Sequence, residues 1–221
     1  MPDQIFSIEK IGLYYNYKNA PGFDDVIGKK GILSGGIHQV NATAFVLRVL
    51  KENPSYIGTI TGFELKIEVV NDANEKNTAF ADVIENGDKI VECKSWKIDG
   101  LAFLNFVKDQ TTITGSSKQF ITYLSDASKV TSLDKLEYWF DSMKFNKSKD
   151  PQPIKEKFKQ MILNGNILSI KGENVFNAIW GNIALRESLF GNRSESTAKL
   201  YFQNTIIKDL SNSFYNFIKL K

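Results

Sequence analysis

Two β-rich runs on either side of a tight-turn signal constrain the fold more than any other feature of this chain. The runs are Thr78–Ile84 and Lys89–Trp96, and Glu85-Asn86-Gly87-Asp88 separates them. Asn and Gly tolerate the positive φ angles that a short antiparallel connection needs. The segment therefore predicts a β-hairpin near the middle of the chain.

The flanking segments predict helices and further strands. Apolar spacing predicts a helix over Ile37–Asn53, which Pro54 ends, and strict alternation predicts a strand over Phe63–Val70 with its odd-numbered residues on one face. After the hairpin we expect a helix over Ser117–Ser128 and a strand over Lys135–Phe140. Three more helices are predicted at Ile154–Leu163, Glu173–Phe190 and Ser196–Leu220.

This order indicates an α/β protein with three parts. We expect an irregular N-terminal segment over 1–36, a core over 37–145 (helix, three-stranded meander, helix, strand) and a helical extension over 146–221 packed on the core. No linker rich in Gly, Ser or Pro separates them, and the best candidate seam lies around 147–153. A length of 221 residues suits one large domain.

Composition excludes several kinds of site. The single Cys excludes an internal disulfide framework and a Cys-rich zinc site, and the single His excludes any site that needs two imidazoles. No apolar run approaches the roughly 18–20 residues of a membrane span, and the first ten residues do not resemble a secretory signal. A net charge of +3 is compatible with nucleic-acid binding without demonstrating it.

The second run of the hairpin carries an unusual charge pattern. Glu92 and Lys94 are two residues apart, so they point to the same face of a strand that otherwise has an apolar sequence. Asp82 lies on the preceding run. Two carboxylates can hold a hard divalent cation such as Mg²⁺, and a lysine can orient water or stabilise developing negative charge. The pattern indicates metal-assisted phosphodiester cleavage.

Asp82 followed by Glu92-Cys93-Lys94 on the next strand resembles the signature of the PD-(D/E)xK nuclease superfamily, which includes restriction endonucleases, resolvases and RecB-type nucleases. The resemblance covers roughly 37–140 and includes the order of elements. Ala81 stands where the family has its proline. The resemblance implies a restriction-endonuclease-like core, Asp82 and Glu92 as ligands of Mg²⁺ or Mn²⁺, and Lys94 as the catalytic lysine.

Two weaker matches resemble the RecB-like branch of that superfamily. His38 follows two glycines at the start of the first predicted helix, where this branch has a histidine that binds the metal. Gln119 and Tyr123 match its Q-x-x-x-Y motif, and their spacing places both on one face of a helix. The resemblance implies that Gln119 and Tyr123 orient the lysine or the phosphate.

The length of the hairpin loop decides whether this site can form. A two-residue Asn86-Gly87 turn would put Asp82 opposite Val91, facing away from Glu92. A three-residue loop, Glu85-Asn86-Gly87, would put Asp82 on the same face as Glu92 and diagonal to it. A nuclease site therefore requires a loop with an odd number of residues, or a bulge that restores the parity.

Several signals keep a structural alternative beside the functional one. The charge pattern is also typical of a salt-bridged surface hairpin, and Glu64 and Glu68 are either auxiliary acids or part of a solvated face. Six lysines within 144–159 either follow a phosphate backbone or form a solvated face. Tyr123, Tyr138 and Trp139 either stack on unpaired bases or belong to the core. The apolar stripe of the last helix leaves a homodimer open.

The function expected from the sequence is a Mg²⁺- or Mn²⁺-dependent nuclease, with DNA preferred as the substrate. The resemblance extends to restriction endonucleases and to toxin nucleases of interbacterial competition, and a toxin would imply a cognate immunity protein and action in a cytoplasm after delivery within a secreted effector. An RNA substrate such as tRNA would use the same chemistry. A nucleic-acid- or protein-binding module with a degenerate site is the non-enzymatic alternative.

Overall fold

The computed structural model describes residues 13, 15–27, 36–70, 76–107, 115–145, 149–163 and 175–221, and of residues 27, 36–40 and 115–117 it describes the backbone alone. The helices are α1 (Phe23–Ile27), α2 (Gly36–Glu52), α3 (Leu101–Val107), α4 (Gly115–Ser125), α5 (Gln152–Leu163), α6 (Val175–Gly181), α7 (Ile183–Phe190) and α8 (Glu195–Tyr201). The strands are β1 (Ile60–Val70), β2 (Lys76–Glu85), β3 (Lys89–Lys94), β4 (Leu136–Phe140) and β5 (Ile218–Leu220).

The strands form one mixed sheet in the order β1-β2-β3-β4-β5. The first three are antiparallel neighbours, and β3, β4 and β5 run parallel to one another. A parallel step needs a long crossover, and the stretch between β3 and β4 supplies it with α3 and α4. The α/β class is therefore confirmed, with the carboxyl ends of β3, β4 and β5 at a common edge.

The loop between β2 and β3 has an odd length, as the site requires. Glu85 pairs with Lys89, which leaves a three-residue loop at 86–88. Asn86 and Gly87 have φ angles of 53° and 84°, in the left-handed region that Asn and Gly tolerate best. The Gly87 N–H also donates to the Thr61 hydroxyl at 2.8 Å, which ties the loop to β1.

The predicted position of that loop is wrong by one residue. Val83 pairs with Val91 and Ile84 with Ile90, so the next rung would set Asp82 directly level with Glu92. The diagonal arrangement expected from a Glu85-Asn86-Gly87 loop does not occur, because Glu85 remains within β2. The loop still has an odd number of residues, so Asp82 and Glu92 still lie on the same face of the sheet.

Helices cover both faces of the sheet and bury a separate apolar core on each. The core beneath α2 includes Phe45 and Val49 of the helix and Val91 and Cys93 of β3. The core beneath α4 and the C-terminal helices includes Ile90 of β3 and a dense group of aromatic rings. Those rings are Phe103, Phe106, Phe120, Tyr138, Phe140, Phe158 and Phe217.

The predicted alternation of β1 breaks at Glu64. Phe63 packs in the core beneath α2, whereas Ile67 packs in the core beneath α4, and Leu65 is 37% exposed. A regular strand would put all three on one face. Glu64 has a φ of 51°, and this left-handed residue reverses which face the following side chains occupy.

The C-terminal prediction of one long helix over Ser196–Leu220 is wrong. After α8 the chain makes a π-helical turn over Phe202–Ile206 and a 3₁₀ turn over Ser213–Phe217, and then adds β5 to the sheet beside β4. Its apolar side chains contact several neighbouring elements and do not form a single stripe along one helix. The extension predicted as helical therefore also supplies a strand.

The predicted helix over Glu173–Phe190 is divided at Asn182. The Asn182 side chain is fully buried and accepts the Leu185 N–H as the N-cap of α7. Its amide group donates to the carbonyls of Leu124 and Val130 at 2.9 Å each. The residue thus anchors the helical extension to the end of α4. Within the described ranges, no helix is long and apolar enough to cross a membrane.

Candidate functional site

The two strands of the hairpin separate one rung beyond the Val83–Val91 pair. At that point the backbone N–H of Cys93 donates to the Asp82 carboxylate, with 2.6 Å between the nitrogen and Oδ2. A side-chain oxygen thus provides the acceptor for an amide that a regular ladder would pair with a backbone carbonyl. Beyond this point Asp82 of β2 and Glu92 of β3 would form the next rung of the ladder.

Glu92 is a buried carboxylate with three side-chain donors. It is 2% exposed, and its Oε1 atom accepts from the Lys94 ammonium, the side chain two residues further along β3. Its Oε2 atom lies 2.9 Å from Gln119 Nε2 and 2.6 Å from the Tyr123 hydroxyl. A carboxylate is stable at such burial only when its oxygens are compensated in this way.

Helix α4 delivers Gln119 and Tyr123 from the face that it packs on the sheet. The Gln119 carbonyl accepts from Lys94 at 3.1 Å while its amide nitrogen donates towards Glu92. Both side chains also contact the Phe80 carbonyl of β2, at 3.0 Å from Gln119 Nε2 and 2.7 Å from the Tyr123 hydroxyl. They therefore bridge Phe80 of β2 and Glu92 of β3 beyond the point where these two strands stop pairing.

The far end of β3 is fixed by the buried carboxylate of Asp141, which follows β4. Its backbone N–H donates to the Lys94 carbonyl at 3.1 Å, and its side chain accepts from the Ser95 hydroxyl at 3.0 Å. Arg48 of α2 donates to the same carboxylate at 2.7 Å. These bonds join α2, β3 and β4, so the backbone carrying Lys94 has little freedom to move.

The surroundings of Asp82 and Lys94 raise the pKa values of both groups. Burial, and then the negative charge of Glu92, raise the pKa of Asp82 well above its ordinary value. Burial lowers the pKa of the Lys94 ammonium, but the charges of Glu92 and Asp82 outweigh that effect and raise the pKa overall. Lys94 is therefore a cation at neutral pH, and it acts as a hydrogen-bond donor and not as a base.

No family model, no curated protein and no solved structure matches the chain. What the residues can do therefore follows from their own geometry and chemistry.

The donor set fits a hard divalent cation. No three His, Cys, Asp or Glu side chains converge as a complete protein cage in the part of the chain that the structure describes. Mg²⁺ does not need one, since it usually keeps several waters and takes one or two carboxylates together with phosphate oxygens. Asp82 and Glu92 supply those carboxylates, and a cation between them would offset both the burial and the negative charge of Glu92 that raise the pKa of Asp82.

Glu64 is the acidic neighbour whose role the sequence left open. The register of β1 and β2 puts it level with Asp82, and burial, followed by the charges of Glu92 and Asp25, raises its pKa. Glu68 instead makes ion pairs with Lys66 and Lys76 at 2.6 and 2.8 Å. Its position fits a solvated face.

The remaining candidates lie apart from this cluster or outside the description. His38 is in the first turn of α2, but its side chain lies outside the described residues. Tyr138 and Trp139 are at most 1% exposed, so the suggestion that they stack on bases is wrong, and the same burial excludes Tyr123 from stacking. In the lysine-rich segment, Lys155 donates to the Leu210 carbonyl at 3.0 Å, so it braces the fold.

Proposed function

We propose that this protein is a metal-dependent nuclease that hydrolyses phosphodiester bonds, with DNA as its preferred substrate. The observation that carries the proposal is the buried Glu92–Lys94 pair joined by Gln119 and Tyr123 beside Asp82. A surface salt bridge would leave both partners in water. Here Glu92 is 2% and Lys94 11% exposed. A buried ion pair seldom contributes net stability, and polar groups kept at such burial are typical of functional sites.

Each side chain has a definite part in this proposal. Asp82 and Glu92 would hold Mg²⁺ or Mn²⁺, which neutralises charge on a phosphate and lowers the pKa of bound water. Lys94, as a fixed ammonium, would donate to the attacking water or to a phosphate oxygen as negative charge develops there. Gln119 would keep the ammonium and the Glu92 carboxylate in register, since it contacts both.

The proposed chemistry suits more than one biological setting. The resemblance to toxin nucleases suggests an effector domain that acts in the cytoplasm of a competitor and is held inactive by an immunity protein until delivery. A restriction or repair nuclease would use the same side chains. Chemistry at the site does not distinguish these roles, because function at this level depends on partners and not on the site.

The decisive experiment is a cleavage assay on supercoiled DNA, linear DNA and total tRNA, with Mg²⁺, Mn²⁺ or EDTA. We expect wild-type protein to cleave DNA only with a divalent cation. Lys94→Ala should lose about 100-fold or more of that rate, by analogy with the removal of one charged donor from other active sites. Asp82→Asn and Glu92→Gln should lose at least as much.

Matched controls lie on the same elements. Lys89→Ala removes a lysine from the other end of β3, where it pairs with Glu137 at 2.7 Å and Glu85 at 3.3 Å. Glu137→Gln removes its acidic partner. Both should retain cleavage per folded molecule. Cleavage of tRNA alone would move the substrate to RNA, whereas intact DNA and RNA with no detectable binding of Mg²⁺ or Mn²⁺ would mean that the protein is a non-catalytic module.

A further inference from the structure

Trp96 lies immediately beyond the strand that carries Lys94, at the edge where the parallel strands end. Its indole ring is half-buried, and the Lys94 ammonium lies over it, with 5.3 Å from Nζ to the ring centroid. In open sheets that contain parallel strands, ligands bind outside the carboxyl ends of those strands. An aromatic ring that is still partly open to solvent thus adjoins the ammonium assigned to the phosphate.

The position of the Trp96 ring is fixed by its aromatic neighbours and by the anchored residue before it. Phe103 and Phe140 meet it edge-on at 5.1 and 6.1 Å between ring centroids, and Phe106 packs at 5.8 Å. The residue between Lys94 and Trp96 is Ser95, whose hydroxyl is bound by Asp141. A ring held in this way loses little conformational entropy when a ligand covers it.

We propose that Trp96 is the platform on which an unpaired nucleobase of the substrate stacks, next to the phosphate that Lys94 contacts. This inference rests on the proposed nuclease function and narrows its substrate. The flat face of a base is available to an indole only when the base is unpaired or displaced from a helix. The substrate class is therefore single-stranded or locally opened nucleic acid.

The other tryptophans do not offer this combination. Trp139 is fully buried within the core beneath α2. Trp180 is half-buried on α6, where Phe176 stacks on it at 5.7 Å and Arg186 lies over its ring at 5.2 Å. Trp180 therefore serves as a matched control, because it is also a partly exposed tryptophan beside a cation, but it lies on helix α6 and does not follow a strand.

The experiment measures binding without cleavage. A short single-stranded DNA is titrated into the full chain in EDTA, while tryptophan emission and the anisotropy of a label on the DNA are recorded. We expect the DNA to quench the emission of wild-type protein and of Trp180→Phe. Trp96→Phe should abolish most of the quenching and weaken binding, and Trp96→Leu should weaken it further, about 5- to 100-fold relative to wild type.

Two comparisons separate stacking from a structural role. A structural role would make affinity follow the thermal stability of the variants, whereas stacking makes it follow the aromatic ring at position 96 even when the folded fractions are equal. The same sequence as a blunt duplex should bind more weakly than the single strand. Equal binding of duplex and single strand, or undiminished quenching in Trp96→Phe, would overturn the proposal.

The binding proposal and the nuclease proposal can fail separately. Quenching is recorded in EDTA, whereas cleavage is recorded with Mg²⁺ or Mn²⁺, so each proposal has its own measurement. Quenching by a protein that cleaves no nucleic acid would leave base stacking in place and remove the nuclease assignment. Cleavage by a protein whose emission is unchanged by DNA would retain the nuclease and remove Trp96 from its substrate site.

Discussion

Asp82 accepts the backbone N–H of Cys93 at 2.6 Å, at the rung where β2 and β3 stop pairing. On the other strand, the Phe80 carbonyl is contacted by Gln119 and Tyr123. The side chains assigned to the reaction are thus the same ones that satisfy the backbone where the ladder opens. Because orphaned backbone groups are strongly destabilising, the break in the ladder depends on these polar side chains.

Replacing Asp82 by Asn should stabilise the metal-free protein while abolishing cleavage. Burial and the charge of Glu92 make an ionised Asp82 unfavourable, and an amide removes that charge but keeps an oxygen for the Cys93 N–H. We expect the melting temperature without metal to rise by roughly 2–4 °C, the shift that about 1 kcal/mol produces in a domain of this size. Differential scanning calorimetry in EDTA measures it.

Asp88→Asn is the matched control, because Asp88 is an exposed loop acid that pairs with Lys135 at 2.6 Å. It should melt within about 1 °C of wild type, since exposed pairs contribute little. A lower melting temperature for Asp82→Asn than for wild type, with the Cys93 contact retained, would contradict the view that an ionised Asp82 destabilises the folded protein.

The contribution of Asp82 to the stability of the metal-free protein should decrease as pH rises above the unfolded pKa and through the raised folded pKa of its carboxyl. The raised pKa means that the folded protein holds the Asp82 proton more tightly than the unfolded chain, whose carboxyl has a pKa of about 3.9. This contribution is complete below the unfolded pKa and is lost as pH rises through the folded one. Melting curves in EDTA from about pH 5 to about pH 8 should differ less in Asp82→Asn than in wild type.

Tyr123→Phe should slow cleavage and destabilise the fold. Glu92 loses its 2.6 Å hydroxyl partner, and removal of one hydrogen bond to a buried charged group destabilises by about 1.5–3 kcal/mol. We expect roughly 10-fold slower cleavage, because the carboxylate is then held by fewer donors. Urea unfolding and single-turnover cleavage give the two quantities.

The control for this change is Tyr215→Phe. The Tyr215 hydroxyl is also buried and donates at 2.7 Å, but to the Ile207 carbonyl in the C-terminal extension. It should destabilise the protein without slowing cleavage by the folded fraction. Equal rate losses in the two variants would show that Tyr123 affects the reaction only through stability.

Asn182→Ala should produce a large loss of stability with no loss of site chemistry. It removes the N-cap of α7 and leaves two carbonyls of buried residues, Leu124 and Val130, without this donor. Together these losses should lower the free energy of unfolding by about 2–4 kcal/mol. Asn212→Ala, which removes a more exposed cap on the Phe214 N–H, should lose about 1 kcal/mol. Denaturant titrations compare the two.

Local patterns predicted the parts of the site that depend on local rules. The Asn86-Gly87 turn follows from the positive φ angles that Asn and Gly tolerate. The shared face of Glu92 and Lys94 follows from a period of two residues, and that of Gln119 and Tyr123 from a spacing of four. The Asp141 anchor could not be predicted in this way, because Arg48 and Asp141 are 93 positions apart. Such contacts arise from the topology and leave no periodic signal.

Two other differences between the predicted and the observed structure have physical causes. A left-handed Glu64 reverses the faces of β1, and nothing in an alternating sequence marks a non-glycine residue for that conformation. Trp139 and Tyr138 are buried because α2 and the C-terminal elements cover both faces of β4. An aromatic residue on a strand is equally consistent with core and surface until that cover is known.

The three-residue tip at 86–88 is exposed, and exposed tips usually tolerate insertions and deletions during evolution. Here the count of residues sets which side of β3 carries Glu92. Adding or removing one residue would turn Val91 and Cys93 towards α4, whereas a change of two would preserve the arrangement. Relatives of this chain should therefore vary at the tip in amino-acid identity, or in length by even steps, because an odd step would move Glu92 to the opposite face from Asp82.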